Sequence, residues 1–248
     1  MSAAPATRAA AGVDFGLVEL DLLATHAGAR FPFPLRVPEF GRIAGEREVL
    51  LAAAGVTLRS RGLAGERGPL GIAAEVVTAL RRYRGTVDLV LAGPDGAVGV
   101  VGVVYRSWAL ICAQRFTGDP ATNGVRVRRV AQNTLAEELL RLVPEAEAAV
   151  TMPITVPPDG ADPAALDELG LLLPELTGAG QLGANRRAPL PATARAGTEL
   201  SWLDGPRGRV RVDRAEDGWS SVNSLRHSDL GLALTACATI AGREDDGS

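Results

Sequence analysis

Phe31-Pro32-Phe33-Pro34-Leu35-Arg36-Val37-Pro38, closed by Gly41-Arg42 and the charged run Glu46-Arg47-Glu48, decides how the chain around it folds. Three prolines within seven residues exclude a helix, since each lacks an N–H and biases its predecessor toward extended conformations. Two of the five phenylalanines of the chain sit among them. A stiff apolar strap of this kind needs a surface to lie on, and its plainest role is a connector that pins helices onto a sheet. Upstream, Val13, Phe15 and Leu17 alternate with smaller or polar neighbours as in a strand. Asp21 is placed to cap a short helix through His26 that Gly28 ends. Downstream, Glu46 to Ser60 reads as a helix with Val49, Leu50, Ala53 and Ala54 on one side.

A short strand and helix (13–28), then FPFPLRVPEFGR, then GEREVLLAA: this order resembles the opening of the EspG family, the ESX (type VII) secretion-associated chaperones of actinobacteria. The resemblance implies an α+β fold, a central antiparallel sheet with helical bundles at both ends and quasi-twofold symmetry. It also implies a cytosolic chaperone that needs no cofactor. Such a chaperone binds the apolar helical tip of PE–PPE-like substrates and keeps them soluble for export. The family has no short motif marking its contact residues, so no site residue is carried over.

Length and composition agree with a folded soluble protein of one large domain or two small ones. Of 248 residues, 46 % are apolar and 22 % charged, which is ordinary for such a chain. A net charge of −3 leaves no basic excess to neutralise phosphates and argues against a nucleic-acid binder. Lysine is absent and all 26 basic residues are arginine, which with the abundant Ala, Gly, Leu and Val points to a GC-rich genome. Cys112 and Cys237 lie in apolar surroundings, where buried reduced thiols are expected. The N-terminus is too weakly apolar for the core of a signal peptide, and no run of 18 apolar residues occurs. A cytoplasmic protein, monomeric or weakly homodimeric, is expected.

Residues 1–12 read as a disordered tail, 13–241 as one domain of two pseudo-repeated halves (about 13–145 and 146–241), and 242–248 as an acidic tail. In the first half, Gly62 to Gly71 reads as a flexible link and Ile72 to Tyr83 as a helix with Ala73, Val76, Val77 and Leu80 on one face. The period then changes to that of an antiparallel meander: Thr86–Ala92, Ala97–Arg106, Trp108–Phe116 and Val125–Val130. A helix follows, with Thr134 and Glu137 as a capping box and Leu135, Leu139 and Leu142 as its buried face. In the second half, Asp162-Pro163 opens a helix to about Leu173. Gly178 to Ala196 reads as a loop. Three strands (Thr198–Leu203, Gly208–Asp213, Trp219–Leu225) precede a last helix capped by Ser228. VRVRRVAQNTLAEELLRLV and SSVNSLRHSDLGLALTACA each read strand, polar cap, amphipathic helix, about 95 residues apart, which is the ground for expecting a duplicated unit.

Chemical motifs are sparse. Gly178-Ala-Gly180-Gln-Leu-Gly183 matches GxGxxG, but a dinucleotide site needs a strand before it and a helix after it. Here a helix precedes and Pro189 and Pro191 follow, so a plain loop is expected. Without lysine no Walker A sequence exists, and no GxSxG serine occurs. His26 and His227 have no cysteine or histidine at metal-ligand spacing and read as structural. No catalytic or metal-binding residue is expected. The remaining candidates are large side chains on strands beside the turns Thr117–Gly124 and Asp213–Gly218. Trp108, Phe116, Trp202 and Trp219 are each either core or a partner-binding hot spot. Two rival readings stay open: a nucleotide-dependent enzyme using the 178–183 stretch, and an adaptor for some other helical protein.

Overall fold

The computed structural model describes residues 12–116, 124–158, 162–187 and 194–243. Its elements run β1 (Val13–Phe15), α1 (Leu17–Ala27), α2 (Ala44–Ser60), β2 (Ala64–Gly65), β3 (Gly68–Pro69), α3 (Gly71–Arg82), β4 (Gly85–Gly93), β5 (Gly96–Tyr105), β6 (Trp108–Phe116) and β7 (Val125–Ala131). Then come α4 (Leu135–Leu140), β8 (Ile154–Val156), α5 (Pro163–Leu172), β9 (Gly178–Arg186), β10 (Ala194–Gly205), β11 (Gly208–Arg214), β12 (Ser220–Ser224) and α6 (His227–Gly242). All strands but β2 and β3 join one antiparallel sheet in the order β1-β7-β6-β5-β4-β9-β10-β11-β12-β8. Read from either end, this order is an edge strand, a four-strand meander run backwards, and the β4–β9 seam. A quasi-twofold axis therefore passes through that seam.

Period-two alternation sends the two faces of the sheet to different cores. On one face Val87 and Leu89 of β4, Val100 and Val104 of β5, Leu182 and Ala184 of β9, and Leu200 and Trp202 of β10 lie under α4 and α6. On the other, Val101, Val103, Leu110, Cys112, Val125 and Val127 lie under α1 and α3. At the far end of that second face, Val210 and Val222 pack with Ala165 and Leu172 of the single helix α5.

The strap is pinned by polar contacts at its two ends. Gln114, buried on β6, accepts a hydrogen bond from the Arg36 backbone N–H (2.7 Å) and donates one to the Arg36 carbonyl (3.1 Å). Pro34 and Leu35 are buried, and Pro34 abuts Gly99, where a side chain would collide with it and with the Phe116 ring. At the other end the Asp21 carboxylate accepts from the Phe40 N–H and from Arg47 Nη1 (2.8 Å each), and from Arg47 Nη2 (3.0 Å). Those hydrogen bonds to Asp21 raise the Arg47 pKa above its ordinary value. Asp21 is thus not a helix cap. It lies inside α1, buried, and clamps the strap and α2 onto it. Glu19 does the same for the end of α2, accepting from Arg61 Nη1 through both oxygens at 2.8 and 2.7 Å.

Several sequence expectations are corrected. Within the stretch 178–196, expected as a loop, Gly178–Arg186 is β9, paired on both sides at the centre of the sheet, and β10 opens at Ala194, while 188–193 lie outside the described residues. Gly180 answers a packing demand, because the Trp202 indole, on its register partner, crosses the strand there and any Cβ would strike the ring. The 62–71 link is the small β2–β3 hairpin. On α2 the buried residues are Ala54 and Leu58, while Val49 and Ala53 face outward. Thr134 forms no capping box: it sits in a 3-10 turn and donates to the Ala131 carbonyl, and Glu137 pairs with Arg141. Leu142 lies beyond the end of α4 and is exposed. Helix α6 begins at His227, with the Asp229 carboxylate rather than Ser228 accepting the Arg226 N–H (3.2 Å). The three-residue edge strand β8 carries no readable period and was not expected; it lies between Pro153 and Pro157, which blunt this edge. The tails at 1–11 and 244–248 and most of the 117–124 turn lie outside the described residues.

Neither cysteine is in a disulfide, and both are buried. Burial pushes the Cys112 thiol up to about 12. A raised thiol pKa adds stability that is complete below the unfolded value and is lost as pH rises through the folded one. Chemical denaturation at pH 8 and pH 10 is therefore expected to show wild type losing more stability over that interval than Cys112→Ala. For the seam, Gly180→Ala is expected to cost about 1–3 kcal/mol by overpacking. In a Trp202→Leu background, where the ring is gone, the same change is expected to cost far less, as a double-mutant cycle by urea denaturation would show.

Candidate partner-docking surface

Helices α1–α3 and α5 cover only the two ends of their face. Between them the middle strands present a floor: Ala97 of β5, Val90 and Ala92 of β4, Ala179 and Gln181 of β9, and Ser201 of β10, all wholly or partly exposed. The register aligns these residues in rows, Gly99–Val90–Gln181–Ser201 and Phe116–Ala97–Ala92–Ala179–Leu203. One wall is the strap with Pro34 and Phe116, over whose ring the Arg36 guanidinium lies at 4.5 Å. The other is the segment after α5, where Leu173 and the Glu175 carbonyl crowd Gly205 and the Thr177 N–H donates to the Asp204 carbonyl (2.8 Å). From β6 to β10 is four strand spacings of about 4.8 Å, so the trough is roughly 20 Å across. Its floor is small-residue and mildly polar: Gln181 Nε2 donates to Glu199 Oε2 at 2.7 Å, and deeper in, Asn185 Nδ2 donates to the buried Asp88 Oδ1 at 2.7 Å.

The four aromatic candidates are not brought together. Phe116 stands at the trough wall. Trp108 lies at the other end of β6, half-buried, its ring 5.0 Å from Tyr105 and under Arg129, packed against the core beneath α1 and α3. Trp219 lies by the β11–β12 turn and is 44 % exposed. Trp202 takes the core alternative: it is 1 % exposed, on the opposite face, with the buried Arg209 guanidinium 5.5 Å above it. Arg209 is itself held by Asp204 (2.6 and 2.9 Å) and the Pro144 carbonyl (2.9 Å). The floor residues escaped sequence reading because small side chains on β9 look like a loop until β4 is laid beside them.

GAGQLG lies within an antiparallel strand, and no helix follows it among the described residues before β10. Among the described residues no group of three His, Cys, Asp or Glu side chains could hold a metal ion. No helix among them is long and apolar enough to cross a membrane.

A model of the EspG family matches residues 17–236. The chain belongs to the EspG family. Among solved structures, the Mycobacterium tuberculosis type VII secretion system chaperone EspG5, in complex with a PE25–PPE41 dimer, superposes with a TM-score of 0.64 at 14 % identity. That match covers 91 % of this chain and 95 % of the other, so the EspG fold extends over essentially the whole molecule. HtdX of Mycobacterium tuberculosis, at 14 % identity over 86 % of this chain and 97 % of its own, reaches a TM-score of only 0.14 and supports no argument. No match is found among curated proteins.

Proposed function

We propose that this EspG-family chain is a cytosolic, non-enzymatic chaperone of type VII secretion that receives the apolar helical tip of a PE–PPE-like substrate in the trough. The observation that carries this reading is the open middle of the sheet. Two packed helices are 8–10 Å apart between axes and each about 10 Å wide, so a helical hairpin needs roughly 20 Å, the width left between strap and α5. Small floor residues let a helix approach closely, and the apolar wall at Phe116 gives its tip a dry contact. Covering such a tip removes an aggregation hazard from a substrate awaiting export. The likeness to EspG5, whose structure contains a PE25–PPE41 dimer, supports the choice of partner.

The measurement is capture of a co-expressed PE–PPE pair, read with thermal melting on the same variants. Ala92→Arg puts a bulky charge on the exposed floor and is expected to abolish capture with an unchanged Tm. Phe116→Ala is expected to weaken capture by about 2 kcal/mol, roughly thirtyfold. Trp202→Ala is expected to act through folding, costing about 3–5 kcal/mol. Full capture by folded Ala92→Arg would remove the trough as the seat.

A further inference from the structure

The end of the sheet opposite the outer row of the trough concentrates arginine. There α3 closes with Arg81 and Arg82, and Arg84 leads into β4, its backbone N–H donating to the Val104 carbonyl of β5 (2.9 Å). The Arg187 N–H donates to the Arg84 carbonyl (2.9 Å), and its guanidinium donates to the Arg81 carbonyl and lies 4.9 Å from the centre of the Tyr83 ring. Arg106, in the turn between β5 and β6, lies over the Tyr105 ring at 5.3 Å, and Arg129 of β7 over the Trp108 ring at 5.1 Å. From β7 to β9 is four strand spacings, so the six arginines span roughly 20 Å. On α3, β4, β5, β6, β7 and β9 the carboxylates are Glu75, paired with Arg129 (2.7 Å), and the buried Asp88. One end of a chain of net charge −3 is therefore strongly positive. The negative C-terminal end of α3 accounts for Arg81, Arg82 and Arg187. It does not account for Arg106, which is exposed and has a φ of 52°, the one positive φ outside glycine among the described residues. A two-residue hairpin turn ordinarily places Asn or Gly in that conformation, and backbone held against its preference points to function.

We infer that this end of the sheet is a docking site for an acidic segment of a second protein, an extended stretch carrying several Asp or Glu residues. Three of the guanidiniums rest on aromatic rings, which hold them in place and reduce the entropy lost when each pairs with a carboxylate. An extended segment of about six residues reaches from Arg129 to Arg187 at roughly 3.3 Å per residue. A peptide of that length stays within the positive patch. A nucleic acid or an anionic membrane continues past it, onto the remainder of a surface whose charge is negative and repels it. Arg84 and Ala92 mark the two ends of β4, about 27 Å apart at some 3.4 Å per residue, so the patch and the trough are separate surfaces. An acidic partner and a substrate then bind at once, as a hand-over of the substrate requires. The inference itself does not rest on the trough being the substrate's seat.

Fluorescence anisotropy of a labelled octaglutamate peptide, titrated with the full chain at low and at high salt, tests this. Wild type is expected to bind it saturably, and more weakly at high salt. Arg106→Glu and Arg82→Glu, both at exposed positions, are each expected to weaken binding at least about tenfold with an unchanged Tm. Arg207→Glu makes the same charge change in the exposed β10–β11 turn at the other end of the sheet, and is expected to leave binding within about twofold of wild type. Capture of a PE–PPE pair by Arg106→Glu is expected to be unchanged, which reads this site separately from the trough. The inference is overturned by a wild type that does not bind the peptide, or by Arg207→Glu losing as much as Arg106→Glu. Equal affinity for a thymidine octanucleotide would make the patch a general polyanion site and overturn it too. So would peptide binding that appears only after removal of residues 244–248, because the chain's own acidic Glu244-Asp245-Asp246 would then be the occupant.

Discussion

The β4–β9 seam is the contact on which the molecule depends. Each half ends its meander in a strand with an unpaired edge, and an unpaired edge in water is an aggregation hazard. Pairing Gly85 with Arg186 through Ala92 with Ala179 removes both edges at once. It also sets Leu89 against Leu182 and Val87 against Ala184, so that one hydrophobic core crosses the boundary. Helices α4 and α6 meet over that core and seal it. On the reverse side the same seam is the floor of the trough. The strand pairing that makes the two halves one sheet therefore also makes the surface proposed as the seat of a partner.

Close packing at the seam is achieved by absent side chains. Gly180 admits the Trp202 indole, Gly102 admits Leu135 of α4, and Gly85 admits the backbone of α6 at Ala241. Each is a point where a helix or a ring approaches a strand more nearly than a Cβ allows. The result places a large aromatic in the middle of a sheet face. Away from the seam, buried charge takes over the positioning. Glu19 and Asp21 grip Arg61 just past the end of α2 and Arg47 within it, and Asp204 holds Arg209 over the Trp202 ring. Removing one member of such a pair strands a charge in a dry place, so these contacts enforce one arrangement of helices rather than merely adding stability.

How much of this was legible depends on whether neighbours in sequence are also neighbours in space. The meander 85–131, the α3 face through Val76 and Leu80, and the Asp162-Pro163 start of α5 are local, and the sequence alone determined them. The proline strap likewise announced an extended segment, and its order with the flanking elements resembled the family to which the chain belongs. Tertiary structure decided the rest. Gly178–Arg186 has the composition of a loop and becomes a central strand only because β4 and β10 supply its hydrogen bonds. Asp21 has the appearance of a cap and is a clamp because Arg47 folds back onto it from 26 residues away. Trp202 and Phe116 are both large aromatics on strands, and the parity of a register that no local pattern encodes sends the first into the core and the second to the rim of the trough.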